Sequence, residues 1–247
     1  MSGLRLERAG GVLSATLDRP AKRNALDGPL FAALRDAFAE ASADDAVRVV
    51  VLTGAGGAFS SGGDLTPDEP SSDDVTTTMR RFGRCALALH ECEKPVIAAV
   101  DGVAAGAGMS LVLGCDLVVA SDRARFALLF VHHGLGLDLG ASWLLPRRVG
   151  RLKANELALL GDWIDAAEAE RVGIVNRVVG AGELASSARA WAERLAAASP
   201  LAVRTIRGAM ARAEGLTLAE ALEEEAVAQA ACSASPELRA ALEARRR

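Results

Sequence analysis

Two short segments of this 247-residue chain combine glycine, alanine and serine so that backbone amides stay open to a ligand. The first is Phe59-Ser60-Ser61-Gly62-Gly63-Asp64-Leu65; the second is Asp101-Gly102-Val103-Ala104-Ala105-Gly106-Ala107-Gly108. Small side chains let a ligand approach the main chain closely. An amide at a helix start is unpaired and carries partial positive charge, so it suits an anion. Two such loops together could aim two amides at one oxygen and so form an oxyanion hole. The same glycines would equally serve tight turns between strand and helix. Neither loop carries the lysine of a triphosphate-binding loop, neither has G-x-G-x-x-G spacing, and no G-x-S-x-G nucleophile elbow occurs.

Among the side chains that move protons, Asp138 stands in the run Gly134-Leu135-Gly136-Leu137-Asp138-Leu139-Gly140-Ala141-Ser142. Phe130 and Trp143, close in sequence, could desolvate it and raise its pKa. A helix starting near Leu139 or Gly140 would instead use Asp138 as its cap. His132 and His133 precede it, but their spacing to Asp138 matches no common metal site. His90, Glu91, Glu93 and Asp116 read as structural or surface groups, and Arg245 to Arg247 as a solvated tail. Cys85, Cys92, Cys115 and Cys232 form no C-x-x-C pair, which points to reduced thiols.

These groups need a framework, and the composition supplies one. Apolar residues make up 51% and charged residues 24%, the balance of a globular chain. The net charge of −4 gives no general attraction to nucleic acid or an acidic membrane. The most apolar stretch, Val96 to Ala120, is broken by Asp101 and Asp116, so no membrane span and no signal peptide is expected. Strands are expected at Leu4–Arg8 and Val12–Leu17 around the Gly10-Gly11 turn, then at Val47–Thr53, Val96–Val100, Leu117–Ala120 and Ile174–Val179. Helices are expected at Gly28–Ala41, capped by Asp27, and at Thr78–Glu93 and Gly108–Gly114. The polar segment 67–74 reads as a surface loop. Strand, glycine-rich loop and helix thus follow one another twice. Beyond Ala141 the chain turns helical, with helices at 151–160, 166–171, 183–198, 200–213, 218–232 and 236–246. Thr217 with Glu220 forms one capping pattern, and Pro200 and Pro236 open two helices.

Four segments carry a resemblance that spans about residues 5 to 180 in order. Ala58-Phe59-Ser60-Ser61-Gly62-Gly63-Asp64-Leu65 is similar to the A-F-x-x-G-x-D-[LI] segment of the crotonase (enoyl-CoA hydratase/isomerase) superfamily. Lys94 to Ala104 resembles its K-P-V-I-A-A-V-x-G-x-A segment, and Arg19-Pro20 through Asn24-Ala25-Leu26 its R-P-x-x-x-N-A-L segment. Val149-Gly150 through Glu156-Leu157, followed by Gly161, Ala166 to Ala169 and Gly173-Ile174-Val175, resembles a later run. The resemblance implies an α/β fold, a spiral of ββα turns over residues 1–195, and a helical region at 196–247 used for trimerisation. It implies an acyl-CoA thioester as partner, with CoA arriving as part of the substrate and no resident cofactor or metal. It places the oxyanion amides on Gly63 and Ala107. It places the CoA-contacting segments on Arg23, Ala25 and Leu26 and on Ser61, Asp64 and Leu65, where Arg23 could pair with a phosphate. A homotrimer or dimer of trimers in the cytoplasm is the expected setting.

One departure narrows the chemistry. The two glutamates that hold water in the family's hydratases align with Ser110 and Phe130, which stay in the substrate pocket but exchange no proton near neutral pH. Gly134 to Arg147 resembles the G-L-x-x-D-x-G-x-[ST]-x-x-L-P-R segment of the isomerase branch, whose aspartate is the base. The resemblance therefore implies that Asp138 shuttles a proton between two carbons of the thioester. The alternatives at this stage are a hydratase-like lyase using other residues, a hydrolase or decarboxylase on the same oxyanion hole, and a non-catalytic acyl-CoA binder.

Overall fold

The computed structural model describes residues 3–66, 74–213 and 215–244. The expected loop at 67–74, apart from Asp74, and the Arg245–Arg247 tail lie outside the described residues. The chain opens with a hairpin, β1 (Leu4–Ala9) and β2 (Val12–Leu17). Helix α1 (Gly28–Ala43) follows; the Asp27 carboxylate accepts from the Leu30 N–H at 2.9 Å and closes its first turn. Its apolar stripe of Leu30, Leu34, Phe38 and Ala41 is buried. Then come β3 (Val49–Gly54) and α2 (Val75–Glu91). α2 begins three residues before the expected Thr78 because Asp74 caps it, accepting from the Thr77 N–H and hydroxyl.

The next two turns each send one strand to a large sheet and one to a small sheet. β4 (Val96–Val100), β5 (Val103–Ala105) and α3 (Ala107–Gly114) form one turn. β6 (Leu117–Ser121), β7 (Arg125–Ala127) and α4 (Ala141–Leu160) form the other. β8 (Ile164–Asp165), α5 (Ala166–Arg171), β9 (Arg177–Val179) and α6 (Leu184–Ala197) complete the spiral. The large sheet runs β1-β2-β3-β4-β6-β9, parallel except for the opening hairpin. The small sheet runs β5-β7-β8. The ββα spiral expected from the sequence is therefore present. Its small sheet was not, because strands of three, three and two residues are too short to show a period. The strand expected at Ile174–Val179 is confined to its last three residues.

α4 also differs from expectation. It starts at Ala141, not Arg151, and bends at Gly150, whose φ of 75° and ψ of 157° are not helical. Pro146 inside its first half and Gly150 at the bend hide the earlier segment from a sequence reading.

The core lies between the sheets and α1 to α4, with Phe38, Phe59, Phe126, Leu52 and Met109 fully enclosed. Cys85 and Cys115 are buried within it as free thiols, and burial pushes both up to about 12, which keeps them unreactive. α6 covers the other face of the large sheet, packing Leu184, Ala188 and Ala192 on Ala99, Val119, Val49 and Ile97. The unit that packs on the sheet therefore runs to the end of α6. Helices α7 (Pro200–Ala213), α8 (Leu218–Ser233) and α9 (Pro236–Ala244) extend beyond it. α8 opens with the expected Thr217/Glu220 capping box. Arg207 ties α7 back to the core: its guanidinium bonds Asp116 at 2.9 Å and the carbonyls of Leu89 and His90, the α2 end. Neither α7 nor α8 buries a residue, and Ile206, Met210, Leu218, Leu222 and Val227 stand exposed. Among the described residues no helix is long and apolar enough to cross a membrane.

Candidate active site

The first glycine-rich loop is held from beneath by a buried asparagine. Asn24 sits in the left-handed region, φ 56°, and its amide nitrogen donates to the carbonyls of Ala55 at 2.9 Å and Ala58 at 2.7 Å. Ser60 returns a hydroxyl bond to the Asn24 carbonyl at 2.8 Å. Leu26 and Gly63 then form a parallel bridge in which Leu26 donates to Gly62 O and accepts from Asp64 N. In such a bridge the residue opposite keeps its own N–H and C=O turned away. Among the described residues the Gly63 N–H meets no backbone acceptor. Gly63 precedes no helix, which corrects the expectation of a helix-start amide there. Its direction comes from the bridge to Leu26, not from a helix dipole.

The second loop does open a helix. Ala107 is the first residue of α3, so its N–H has no intrahelical acceptor and carries the dipole's positive end. Gly106 before it has φ 49° and ψ −123°, a combination that excludes side chains and turns the Ala107 amide outward. The loops meet at Gly62, where an added β-carbon would lie 3.0 Å from Ala105 O and 3.7 Å from Ala107 N. Gly63 and Ala107 thus open on one cavity of about 1280 Å³. A β-carbon on Gly63 would meet nothing within 4 Å.

Asp138 lines the same cavity. Its carboxylate does not cap α4; the cap position is Gly140, with no side-chain bond. Instead Asp138 Oδ1 accepts from the Ser110 hydroxyl at 3.3 Å. Burial pushes Asp138 up to about 6, against the opposing Ser110 bond, and no cation among the described residues offsets it. Leu139, next in the chain, is a buried non-glycine residue at φ 47°, a strained conformation of the kind that marks functional sites. Phe130 lies over the site, 7% exposed, with its ring edge 3.9 Å from where a Gly106 β-carbon would be. Trp143 takes no part: it packs edge-on to His90 and under the Arg147 guanidinium, outside the cavity. Desolvation of Asp138 therefore comes from the cavity wall and not from Trp143.

Leu26, Ser61, Asp64 and Leu65 line the cavity, and Phe31 and Phe82 stack at 4.3 Å to form part of its apolar wall. Asp64 contributes no free charge. Its carboxylate, 4% exposed, is bonded by Arg19 and Lys22 at 3.1 Å each. Burial pushes its pKa up, but the Thr66 amide and the two cations outweigh this and hold it below the usual carboxylate range. Arg23 is exposed in the left-handed region, φ 49°, and Ala25 is buried; neither lines the cavity. Arg23 reaches the rim through its carbonyl, which accepts from Ser61 N at 2.9 Å. Ser110 is buried, 1% exposed, behind the wall. His133 lines the cavity, while His132 packs beside Gly161. The Arg19 clamp and the Asn24 buttress escaped the sequence reading. An asparagine five residues after Arg19 was the local signal. Among the described residues no group of three or more His, Cys, Asp or Glu side chains is placed to hold a metal.

Comparison with known proteins identifies the family. The sequence model of the enoyl-CoA hydratase/isomerase family matches residues 7–246. The chain is 38% identical over 220 residues to the 1,2-epoxyphenylacetyl-CoA isomerase of Escherichia coli (strain K12), covering 87% of this chain and 84% of that one. The crystal structure of an enoyl-CoA hydratase from Bacillus anthracis superposes with a TM-score of 0.94 at 28% identity, covering 99% and 96%. A Thermobifida fusca YX structure in complex with CoA superposes with a TM-score of 0.87 at 34% identity, covering 94% and 93%. With its ββα spiral, its two loops converging on one cavity and a match along nearly its whole length, this chain belongs to the enoyl-CoA hydratase/isomerase family of the crotonase superfamily, whose members act on acyl-CoA thioesters.

Proposed function

We propose that this chain is an acyl-CoA isomerase that shifts a double bond through an enolate. The Gly63 and Ala107 amides hold the thioester oxygen, and Asp138 carries the proton. One C–H bond of the substrate breaks and its proton passes to Asp138, while the electron pair moves onto the thioester oxygen. The proton then returns to a different carbon and the amides release a neutral carbonyl. Amides aimed at the developing charge act most strongly in a site closed to water. The observation that carries this reading is Asp138: a half-buried carboxylate, uncompensated by any cation among the described residues, opening on the cavity that both amides share. A base pushed up to about 6 suits a carbon acid better than an ordinary carboxylate does. Ser110 and Phe130, at the positions of the hydratase glutamates, leave no pair to hold and activate a water. The stacked Phe31–Phe82 wall favours an apolar acyl group. The exposed apolar side chains of α7 and α8 support a trimer or dimer of trimers, checked by sedimentation at micromolar concentration.

The test offers the protein a 3-enoyl-CoA and, separately, crotonyl-CoA. Conversion of the first to the conjugated 2-enoyl-CoA, with hydration of the second far below the roughly ten per second of a median enzyme, is the expected result. Hydration at tens per second with no isomerisation would overturn it. His133, which shares the cavity with Asp138, is the second carrier such a result would implicate.

A further inference from the structure

The Ser110 hydroxyl has two acceptors and one proton. Its oxygen lies 3.3 Å from Asp138 Oδ1 and 3.2 Å from the Gly106 carbonyl oxygen. Both distances exceed the usual ~2.7–2.8 Å of a hydroxyl bond, as expected where one hydrogen is shared between two acceptors. The Gly106 carbonyl and the Ala107 N–H are the two ends of a single peptide group, and Ala107 is the oxyanion amide. Asp138 Oδ2 has no hydrogen-bond partner among the described residues, and no buried side-chain oxygen there lacks one, so this oxygen opens to the cavity.

We propose that Ser110 is a positioning residue that relays the state of the base to the oxyanion hole. This rests on the reading of Asp138 as base and Ala107 as oxyanion donor. While Asp138 is ionised, the hydroxyl donates to Oδ1 and holds the carboxylate in place. When the substrate C–H bond breaks and its proton reaches Oδ2, Asp138 becomes neutral and a weaker acceptor. The hydroxyl then turns to the Gly106 carbonyl. A donor on that carbonyl polarises the peptide group and strengthens the Ala107 N–H through hydrogen-bond cooperativity. The amide gains strength as the thioester oxygen becomes negative. Return of the proton to the second carbon restores the carboxylate and draws the hydroxyl back. No net proton or electron is left behind.

The surroundings isolate this pair. α3 carries no charged residue. On α4, Arg147 lies over the Trp143 ring and Arg148 bonds the carbonyls of Leu113 and Cys115. Around the cavity, Asp64 is held by Arg19 and Lys22, Asp27 by Arg19, Arg81 lies near the Phe82 ring, and among the described lining residues His133 is the remaining titratable group.

Ser110→Ala tests the relay by three readings on the full chain: the pH profile of isomerisation, the kcat–KM split, and the enolate absorbance of bound acetoacetyl-CoA. Loss of a hydrogen bond to a charged group is expected to cost about tenfold or more in kcat with KM little changed. The acid limb should move to higher pH, because the carboxylate loses its donor. The enolate fraction of bound acetoacetyl-CoA should also fall about tenfold, and Ser110→Thr, which keeps the hydroxyl, should recover both. An acid limb or an enolate fraction equal to wild type overturns the relay, and so does loss of activity that tracks a fall in melting temperature. Asp138→Asn separates the two ideas: full activity in that variant sinks the underlying reading, whereas an inactive Asp138→Asn beside a normal Ser110→Ala sinks the relay alone.

Discussion

Asp64 and Asp138 line one cavity and live in opposite electrostatic worlds. Asp64 ends the first glycine-rich loop, where Arg19 and Lys22 both reach its carboxylate. Asp138 ends the irregular segment after α3 and β7, where its side-chain partner is the neutral hydroxyl of Ser110. Burial pushes both pKa values up; at Asp64 the amide and the cations win, and at Asp138 nothing opposes burial but one hydroxyl. The difference teaches that lining an active-site cavity does not make a carboxylate a base. What decides is whether the fold supplies a compensating cation. Two carboxylates driven apart in this way suit different roles, Asp64 a structural one and Asp138 the protonic one proposed above.

The contrast breaks most sharply on activity. Asp138→Asn keeps the shape and removes the base, so double-bond migration should fall about 10²–10⁴-fold in kcat. Affinity for CoA thioesters, measured by calorimetry, should change little, because the amides are main chain. A variant that keeps its rate would place the proton carrier elsewhere.

Asp64→Asn should do the reverse. It removes the carboxylate that Arg19 and Lys22 share while Arg19 keeps Asp27, which should cost about 1.5 kcal/mol in denaturant unfolding, the loss of a hydrogen bond to a charged group. The isomerisation rate per folded molecule should stay within a few-fold of wild type. Equal stability with lost activity would reverse the two assignments.

The pH profile sharpens the same distinction. Only ionised Asp138 accepts a proton, so kcat/KM should fall about tenfold per unit below a pH near 6. The fall should disappear from the residual rate of Asp138→Asn. A profile flat down to pH 5 would show that the base is not raised.

Stability carries the smallest and most telling signal. Asp138 is raised on folding, so the stability linked to its protonated form is full below the unfolded carboxylate value near ~3.9 and lost as pH rises through about 6. Asp138→Asn should therefore unfold at higher temperature than wild type at pH 7–8, by about 1–2 kcal/mol after allowing for partial exposure, and match it near pH 4. Asp64, lowered on folding, works the other way: its stabilisation is present above the unfolded value and lost as pH falls through its folded one. Parallel melting curves check both signs, Asp138 across about pH 4 to 8 and Asp64 across about pH 2 to 4.

What the sequence determined by itself is what neighbours in the chain decide. Asp27 beside Pro29 starts α1, Thr217 with Glu220 starts α8, and the apolar runs at Val49–Gly54 and Val96–Val100 make buried parallel strands. The glycines of both loops and the segments around them disclosed the family. Those signals are local propensities and periods, readable within a few residues. The tertiary structure decided everything that depends on groups far apart in the chain. It bent α4 at Gly150, paired the short strands of the small sheet, moved Trp143 away from Asp138, and turned Gly63 by a bridge to Leu26 instead of a helix start. It also gave two aspartates of one cavity opposite surroundings. Asp64 meets cations 45 and 42 residues away, and Asp138 meets a hydroxyl 28 residues away. A carboxylate's pKa follows its burial and its nearest charges, and only the folded chain brings those within a few ångströms.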